Sequence, residues 1–402
     1  MSVSDQRIKG LLSEFLKLHP KKIDLSLNRV KKLLSKLDNP HEKIDNCIVV
    51  SGTNAKFSTL RFMQEILRYN NKVLNTYISP HLLRFNERFE FKNEQISNKD
   101  LEKALIRIKE INNSASITFF EATSSIFYDL CSRNKSDYTI IETGLGGMYD
   151  TSALVTPIIT IITPISFDHI EFLAPRTQSI QEIAFAKSGS IKEQIPCIIG
   201  KQTYKEALNI LIDQADYKKS PLFIYGRDWI IYEKDNKDII YEDNKNKFKF
   251  NKFKHHPNYQ LENLGLAIAA LSNISNINIG EFLNQDLHNN TKIIGRFQKI
   301  ENQKLNNLCT KNNEIIYDGG HNESSFRLSE SIEKLEKKPL CIIIGMLNSK
   351  TPKYFISKFK DINCIRTVTI PNEENAISAD KLREDLKSYC EDTVACSTVE
   401  EA

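Results

Sequence analysis

The chain lacks a strong charge of either sign. Among its 402 residues, 55 basic against 51 acidic side chains leave a net +4, too little to argue for a nucleic-acid partner. It also lacks any C-x-x-C pair. Its 8 cysteines, at positions 47, 131, 197, 309, 341, 364, 390 and 396, are scattered, and several fall inside apolar strand-like runs. Buried, reduced thiols in a cytoplasmic protein are therefore expected. Met1 to Glu14 has no apolar core, so no signal peptide is expected there. The most apolar stretch, Ser152 to Ile165, is broken by Pro157 and Pro164 and is too short for a bilayer, so no membrane partner is expected. No internal repeat, no low-complexity segment and no Cys/His or Ser/His arrangement stands out.

What is present is a length that favours two domains and an ordinary composition, 40% apolar and 26% charged. The most informative segment is Gly52-Thr53-Asn54-Ala55-Lys56-Phe57-Ser58-Thr59. It follows the apolar run Cys47 to Val50, which reads as a buried strand. It precedes Leu60 to Leu67, whose apolar positions 60, 62, 63, 66 and 67 keep helical spacing. A strand, a small-residue loop with one lysine and hydroxyls, then a helix is the layout of a phosphate-binding loop. Backbone N–H groups and the helix N-terminus attract the anion, and the lysine reaches the outer phosphates. The match to G-x-x-x-x-G-K-[ST] is imperfect, so an ordinary strand-to-helix turn stays open at this point.

Further along, strands alternate with helices. Lys72 to Ile78, Tyr138 to Glu142, Ile158 to Thr163 and Cys197 to Ile199 read as strands; Asp100 to Asn112, Thr118 to Leu130 and Gln181 to Lys187 read as helices. The alternation predicts an α/β fold with a mostly parallel sheet covered on both faces. Trp229 to Tyr241 with Lys247 to Phe253 has hairpin character, turning at Glu242-Asp243-Asn244. The polar stretch Gln285 to Lys292 reads as leading into a linker. A second βα series starts at Ile315, so the boundary is placed between a domain of residues 1–289 and one of 290–402.

In an open α/β sheet, ligands bind beyond the carboxyl ends of the strands. Lys56 and Ser58 follow the first strand, Ser79 the second, Glu142 ends the third and His169 lies past the fourth. A hydroxyl, a carboxylate and an imidazole around a triphosphate could hold Mg²⁺; each also has a bland reading, Glu142 as a cap for the glycine turn among them. Lys187, near a helix end among apolar neighbours, is a snorkelling surface residue, a charge that satisfies the helix dipole, or a buried amine. A buried amine has a lowered pKa, reacts with CO₂, and as a carbamate could bind a second ion. Asp318-Gly319-Gly320-His321-Asn322 is a second strand-to-helix loop with groups suited to a ribose or substrate, and Arg296 lies near the boundary.

Taken in order, these pieces resemble the folylpolyglutamate synthase and dihydrofolate synthase family, the folate branch of the Mur-type ligases. The resemblance runs from His19-Pro20-Lys21-Lys22-Ile23-Asp24-Leu25 and Asn28-Arg29-Val30 through GTNAKFST, Ser79-Pro80-His81-Leu82 and Arg84-Phe85-Asn86-Glu87-Arg88. It continues with Thr118-Phe119-Phe120-Glu121, Glu142-Thr143-Gly144-Leu145-Gly146-Gly147, Asp168-His169 and Lys187-Ser188-Gly189. Gln260-Leu261-Glu262-Asn263, Gly295-Arg296, Asp318 to Asn322 and Gly345-Met346 complete it.

The resemblance implies a Mur-ligase-like P-loop domain plus a smaller C-terminal Rossmann-like domain, with the active site in the cleft. It implies ATP contacts at Asn54, Ala55, Lys56, Phe57 and Ser58, with Asn263, Arg296, Asp318 and His321 holding the rest of the nucleotide. Ser79, Glu142 and His169 would bind Mg²⁺, two ions being expected, with Lys187 carbamylated. Lys56, Lys187 and His169 would be the catalytic groups. Asp24, Leu25, Ser26, Thr118, Phe120 and Glu121 match the family's pterin-binding segments. The chain departs from the family at Ala55 and Phe57, where glycine is usual, at Met148, where arginine is usual, and at Ala153, where asparagine is usual. An alanine held in a left-handed backbone at 55 would cost on the order of 1 kcal/mol.

The expected activity is ADP-forming ligation of L-glutamate to dihydropteroate and to reduced folates, by a cytoplasmic monomer. A single-activity folylpolyglutamate synthase and a catalytically silent nucleotide-binding homologue are the alternatives. A Mur cell-wall ligase, the closest enzymatic rival, needs a UDP-substrate domain before the loop, and the 51 residues that precede Gly52 argue against it.

Overall fold

The computed structural model describes residues 3–21, 23–234, 238–253, 256–300, 314–322, 326–335 and 339–402. The chain divides into two compact units, Met1–His255 with Gln260–Lys292, and His256–Tyr259 with Ile293–Ala402.

In the first unit, helices α1 (Val3–Lys17) and α2 (Asn28–Lys36) precede strand β1 (Cys47–Ser51). Helix α3 (Lys56–Tyr69), β2 (Leu74–Tyr77), β3 (Phe89–Phe91) and β4 (Glu94–Gln95) follow. Next come helices α4 (Asn98–Asn112) and α5 (Phe119–Cys131), then β5 (Tyr138–Glu142) and β6 (Pro157–Ile162). The one-turn α6 (Ile170–Leu173), α7 (Ile180–Ser188), β7 (Cys197–Ile199), α8 (Lys205–Tyr217) and β8 (Leu222–Ile224) complete the layer. The 8 strands form one sheet in the order β4-β3-β2-β5-β1-β6-β7-β8. Every pairing from β2 to β8 along that order is parallel, and only the β2–β3 and β3–β4 pairings at one edge are antiparallel. The expected parallel α/β sheet is present.

Local chemistry explains the helix starts. Thr118 and Glu121 form a reciprocal capping box: Thr118 Oγ1 accepts the Glu121 amide, and Glu121 Oε2 accepts the Thr118 amide at 2.8 Å. Ser97 and Ser179 cap α4 and α7 in the same one-sided way. Strand β1, central in the sheet, is buried at all 5 residues, as a strand covered on both faces must be. On one face Val49, Tyr77 and Ile141 pack with Leu33, Leu105 and Phe127 of the helices. Elsewhere in the sheet Ile162, Cys197 and Ile199 pack with Ile183 and Leu211. Each such side chain contributes about 2 kcal/mol by leaving water.

The segment expected as a hairpin is a three-stranded antiparallel sheet, β9 (Trp229–Glu233), β10 (Ile239–Asp243) and β11 (Lys247–Phe250), in the order β11-β10-β9. The sequence reading fused the first two strands; residues 235–237 between them lie outside the described set. The turn also falls later than expected, because Asp243 Oδ1 accepts the amides of both Lys245 and Asn246 at 2.7 Å. Helices α9 (Tyr259–Leu271) and α10 (Ile279–Asn284) follow. The stretch read as a polar linker holds a 3₁₀ turn, Leu287–Asn290, with His288 and Asn289 buried.

The second unit pairs β12 (Gln298–Lys299) with β13 (Ile316–Tyr317) and continues with α11 (Phe326–Glu333). Strands β14 (Leu340–Ile344), β15 (Ile362–Val368) and β16 (Thr393–Cys396) form a parallel sheet, with helices α12 (Pro352–Ile356) and α13 (Ala379–Leu386) on the connections. Its core gathers Ile344, Met346, Phe355, Ile365 and Leu382. The expectation of buried, reduced thiols is corrected for one pair. Cys341 and Cys364, register partners on adjacent strands with Cα atoms 4.7 Å apart, form a disulfide. Cys47, Cys131 and Cys197 are free and buried; Cys309 lies outside the described residues. Among the described residues no helix is long and apolar enough to cross a membrane.

Candidate active site

Strands β2, β5, β1 and β6 are consecutive neighbours and parallel, so the four loops leaving their carboxyl ends share one edge of the sheet. Ser79, Glu142, the 52–55 loop and His169 all belong to that edge. The sequence reading placed them there one strand at a time; the strand order sets their four loops side by side.

The loop after β1 is held from behind. The amides of Thr53 and Asn54 donate to Pro164 O at 3.0 and 3.2 Å, and Asn54 Nδ2 donates to Ser166 Oγ at 2.8 Å. Gly52 adopts φ +136°, and a Cβ there would meet Thr163 Oγ1 at 1.9 Å. Ala55 caps α3 with φ +69°, the left-handed backbone suspected from the sequence. Lys56, Phe57 and Ser58 form the first turn of α3, where amides have no intrahelical acceptor and the helix dipole favours an anion.

Two ammonium groups meet at this loop. Lys56 Nζ donates to Gly52 O at 3.2 Å and to Thr53 O at 3.1 Å, and Lys187 Nζ donates to the same Gly52 carbonyl at 2.8 Å. Of the sequence readings of Lys187, burial is the one realised, at 4% exposure. Burial first, and the Lys56 charge second, push its pKa down to about 7. Lys187 is aimed inward because the end of α7 is clamped to the glycine turn. The Met148 amide donates to Ala186 O at 3.0 Å, and a Cβ on Gly189 would lie 2.2 Å from Met148 Cα.

Glu142 is buried, and its Oε2 accepts the Ser79 amide at 3.2 Å. Ser79 Oγ is buried without a hydrogen-bond partner. An orphaned hydroxyl beside a buried carboxylate fits a hard cation that takes oxygen ligands. His169 heads α6 at φ +50° and is more open, with Nε2 4.0 Å from Asp168 Oδ1. Among the described residues no three His, Cys, Asp or Glu side chains cluster as a metal site; this trio has only two of those types plus a hydroxyl. Asp150 caps the glycine turn, accepting the amides of Gly144 and Leu145 and also that of Ser152, while burial raises its own pKa.

The segments matched to substrate binding are brought together by a residue to which the sequence reading gave no role. Arg29 NH1 donates to Asp24 Oδ2 at 2.7 Å and Arg29 Nε to Glu121 Oε2 at 3.0 Å. Glu121 Oε1 is left buried and without a partner. Leu25 is half-buried, and Ser26 Oγ accepts the Asn28 amide. Thr118 is occupied as the α5 cap, and Phe120 packs its ring where a side chain on Gly144 would be, 2.4 Å from that Cβ position. The signal for Arg29 was its spacing, five residues past Asp24 at the start of a helix.

Asn263 Nδ2 donates to Gln260 Oε1 at 2.7 Å, and Gln260 Nε2 donates to Ser58 Oγ at 3.3 Å. In the second unit, Asp318 Oδ2 accepts the Phe297 amide at 2.7 Å and the Tyr259 hydroxyl at 3.4 Å, and burial raises its pKa. Arg296 NH1 donates to Gly295 O, and a Cβ on Gly319 would meet it at 2.8 Å. His321 Nδ1 lies 2.8 Å from Gly319 O. These three residues therefore form one local cluster.

No family model matches the chain. A curated relative, the dihydrofolate synthase/folylpolyglutamate synthase of Haemophilus influenzae, is 30% identical over 84% of this chain and 77% of its own length. The solved folylpolyglutamate synthase of Thermotoga maritima superposes with a TM-score of 0.80 at 26% identity, over 97% of this chain and 90% of that one. The bifunctional folylpolyglutamate synthase/dihydrofolate synthase of Yersinia pestis, solved with AMPPNP and a Mn ion, gives a TM-score of 0.84 at 23% identity, over 100% and 92%.

Proposed function

We propose what this chain does from one premise: it belongs to the dihydrofolate synthase/folylpolyglutamate synthase family. It is an ADP-forming ligase that joins L-glutamate to dihydropteroate, and to the γ-carboxylate of reduced folates, through an acyl phosphate. The observation that carries the assignment of its site is the convergence of two lysines on the Gly52 carbonyl, at the sheet edge that also holds Ser79 and Glu142.

In this reading the triphosphate lies along the first turn of α3, with amides of residues 55–58 and Lys56 facing its oxygens. Asn263, Arg296, Asp318 and His321 take the nucleoside end. A substrate carboxylate oxygen attacks the γ-phosphorus, and the bond to the β,γ-bridging oxygen breaks, releasing ADP. The free amine of L-glutamate then attacks the acyl carbon, loses a proton, and expels phosphate to leave the amide. Lys56 offsets negative charge moving toward the leaving ADP, the main lever available in phosphoryl transfer. Arg29 holds Asp24 and Glu121 so that the Glu121 Oε1 lone pairs face the pterin.

Ser79, Glu142 and His169 would hold a divalent cation, and the orphaned Ser79 hydroxyl supports that set. Such a cation supplies charge neutralisation at the phosphate oxygens. Lys187, with a pKa near 7, has a substantial neutral fraction at physiological pH. Its amine nitrogen can bond to the carbon of CO₂ with loss of one proton, giving a carbamate that would serve a second ion. The reading takes the chain as a cytoplasmic monomer.

ADP release by the purified protein tests the proposal. Turnover should require ATP, L-glutamate and either dihydropteroate or a reduced folate. ADP formed at the same rate without L-glutamate would contradict it, and product mass separates single addition from chain extension.

A further inference from the structure

We propose that Gln260 is a positioning residue for ATP: its amide sets the orientation of Ser58 and Asn263. The inference rests on the nucleotide-binding reading of those two residues and deepens it.

Gln260 is 0% exposed, Ser58 2% and Asn263 3%, so all three side chains are buried. A buried amide must spend its donors and acceptor on protein partners. Gln260 uses both ends: Nε2 donates to Ser58 Oγ on α3, and Oε1 accepts from Asn263 Nδ2 one turn along α9. The direction of each bond has a chemical consequence. Ser58 Oγ, already accepting, keeps its own proton to donate to a phosphate oxygen. Asn263, with Nδ2 engaged, is turned so that Oδ1 remains to accept from a donor on the nucleotide. One amide thus presets the polarity of two groups, one on its own helix and one on a segment 202 residues away in sequence. Without it, both would have to be oriented on binding, at a cost taken from affinity.

The test is steady-state kinetics on Gln260→Leu, Ser58→Ala, Asn263→Ala and the Gln260→Leu/Asn263→Ala double variant, with melting curves to show folding. Leucine keeps the volume and removes both hydrogen bonds; Gln260→Met is the second variant should leucine not be accommodated. The expected result is a rise in KM for ATP of about ten-fold, the scale of one buried hydrogen bond lost. For the Gln260 variants the KM for L-glutamate and kcat should stay within about two-fold, and the double variant should exceed Asn263→Ala alone only by the share that Ser58→Ala carries. Asn263→Ala raising the ATP KM while neither Gln260 variant does would overturn the role of Gln260 and leave the nucleotide reading standing. Strict additivity in the double variant would also overturn it, since a packing residue acts independently. Unchanged ATP KM in both Ser58→Ala and Asn263→Ala would overturn the nucleotide reading itself, and this inference with it.

Discussion

Replacing Gly52 by alanine should be among the most damaging single-methyl additions in the chain. The residue sits at φ +136°, a region open essentially to glycine, and the added Cβ would lie 1.9 Å from Thr163 Oγ1 and 2.9 Å from Thr163 O. The backbone penalty is about 1–3 kcal/mol. Relief of the overlap is harder than usual, because Thr163 is fixed: its amide and Oγ1 both donate to Ser51 O, at 2.8 and 3.1 Å. Overpacking of this kind costs about 1–3 kcal/mol more, for a total of about 4 kcal/mol. Urea unfolding of Gly52→Ala, Thr163→Ala and the double variant separates the two parts. Thr163→Ala should lose about 1 kcal/mol for its hydrogen bond, yet in the Gly52→Ala background it should restore stability, giving a coupling of at least about 1 kcal/mol. Activity should not recover with it, because the Gly52 carbonyl is where Lys56 and Lys187 converge. A Gly52→Ala protein as stable as the parent, or strict additivity with Thr163→Ala, would refute the reasoning.

Three further outcomes are expected. Ala55→Gly should stabilise the protein by about 0.5 kcal/mol, because relief of the left-handed alanine outweighs the added freedom of the unfolded glycine; Ala55→Val should destabilise it, and denaturant midpoints decide both. Ser79→Ala removes a hydroxyl without a partner, so stability in EDTA should change by less than about 0.5 kcal/mol, while the rise in melting temperature on adding Mg²⁺ shrinks. Lys187 titrates near 7 when folded and 10.5 when unfolded, so between those values the unfolded chain binds the extra proton and stability rises with pH, by about 1.4 kcal/mol per unit. Lys192, pushed to about 8, acts in the same direction; the Lys187 share is therefore the part of the slope that Lys187→Met abolishes in CO₂-free buffer.

Much of the first unit was legible because its signals are local. The strand before Gly52, the spacing of apolar positions in α3 and the Thr118–Glu121 cap each depend on a few adjacent residues. The order of the strands was not legible, since β1 lies between β5 and β6 through pairings remote in sequence. Hence the sheet edge could be argued only as a rule about strand ends. Lys187 resisted the reading for the same reason: its neighbour Phe185 is 45% exposed, and only the clamp between Met148 and Gly189 shows that the lysine points inward. Arg29 and Gln260 were visible as residue types but not as bridges, because their partners come from other elements. The disulfide was missed because Cys341 and Cys364 carry no spacing signal; parallel register alone makes them neighbours.

The account depends most on a substrate carboxylate being activated by phosphate from ATP, and isotope transfer tests that directly. Dihydropteroate labelled with ¹⁸O in its carboxylate would be turned over with ATP and L-glutamate, and the released phosphate weighed. Attack of that carboxylate on the γ-phosphorus places one labelled oxygen in inorganic phosphate for each amide formed. Phosphate free of label, with amide still produced, would contradict the account.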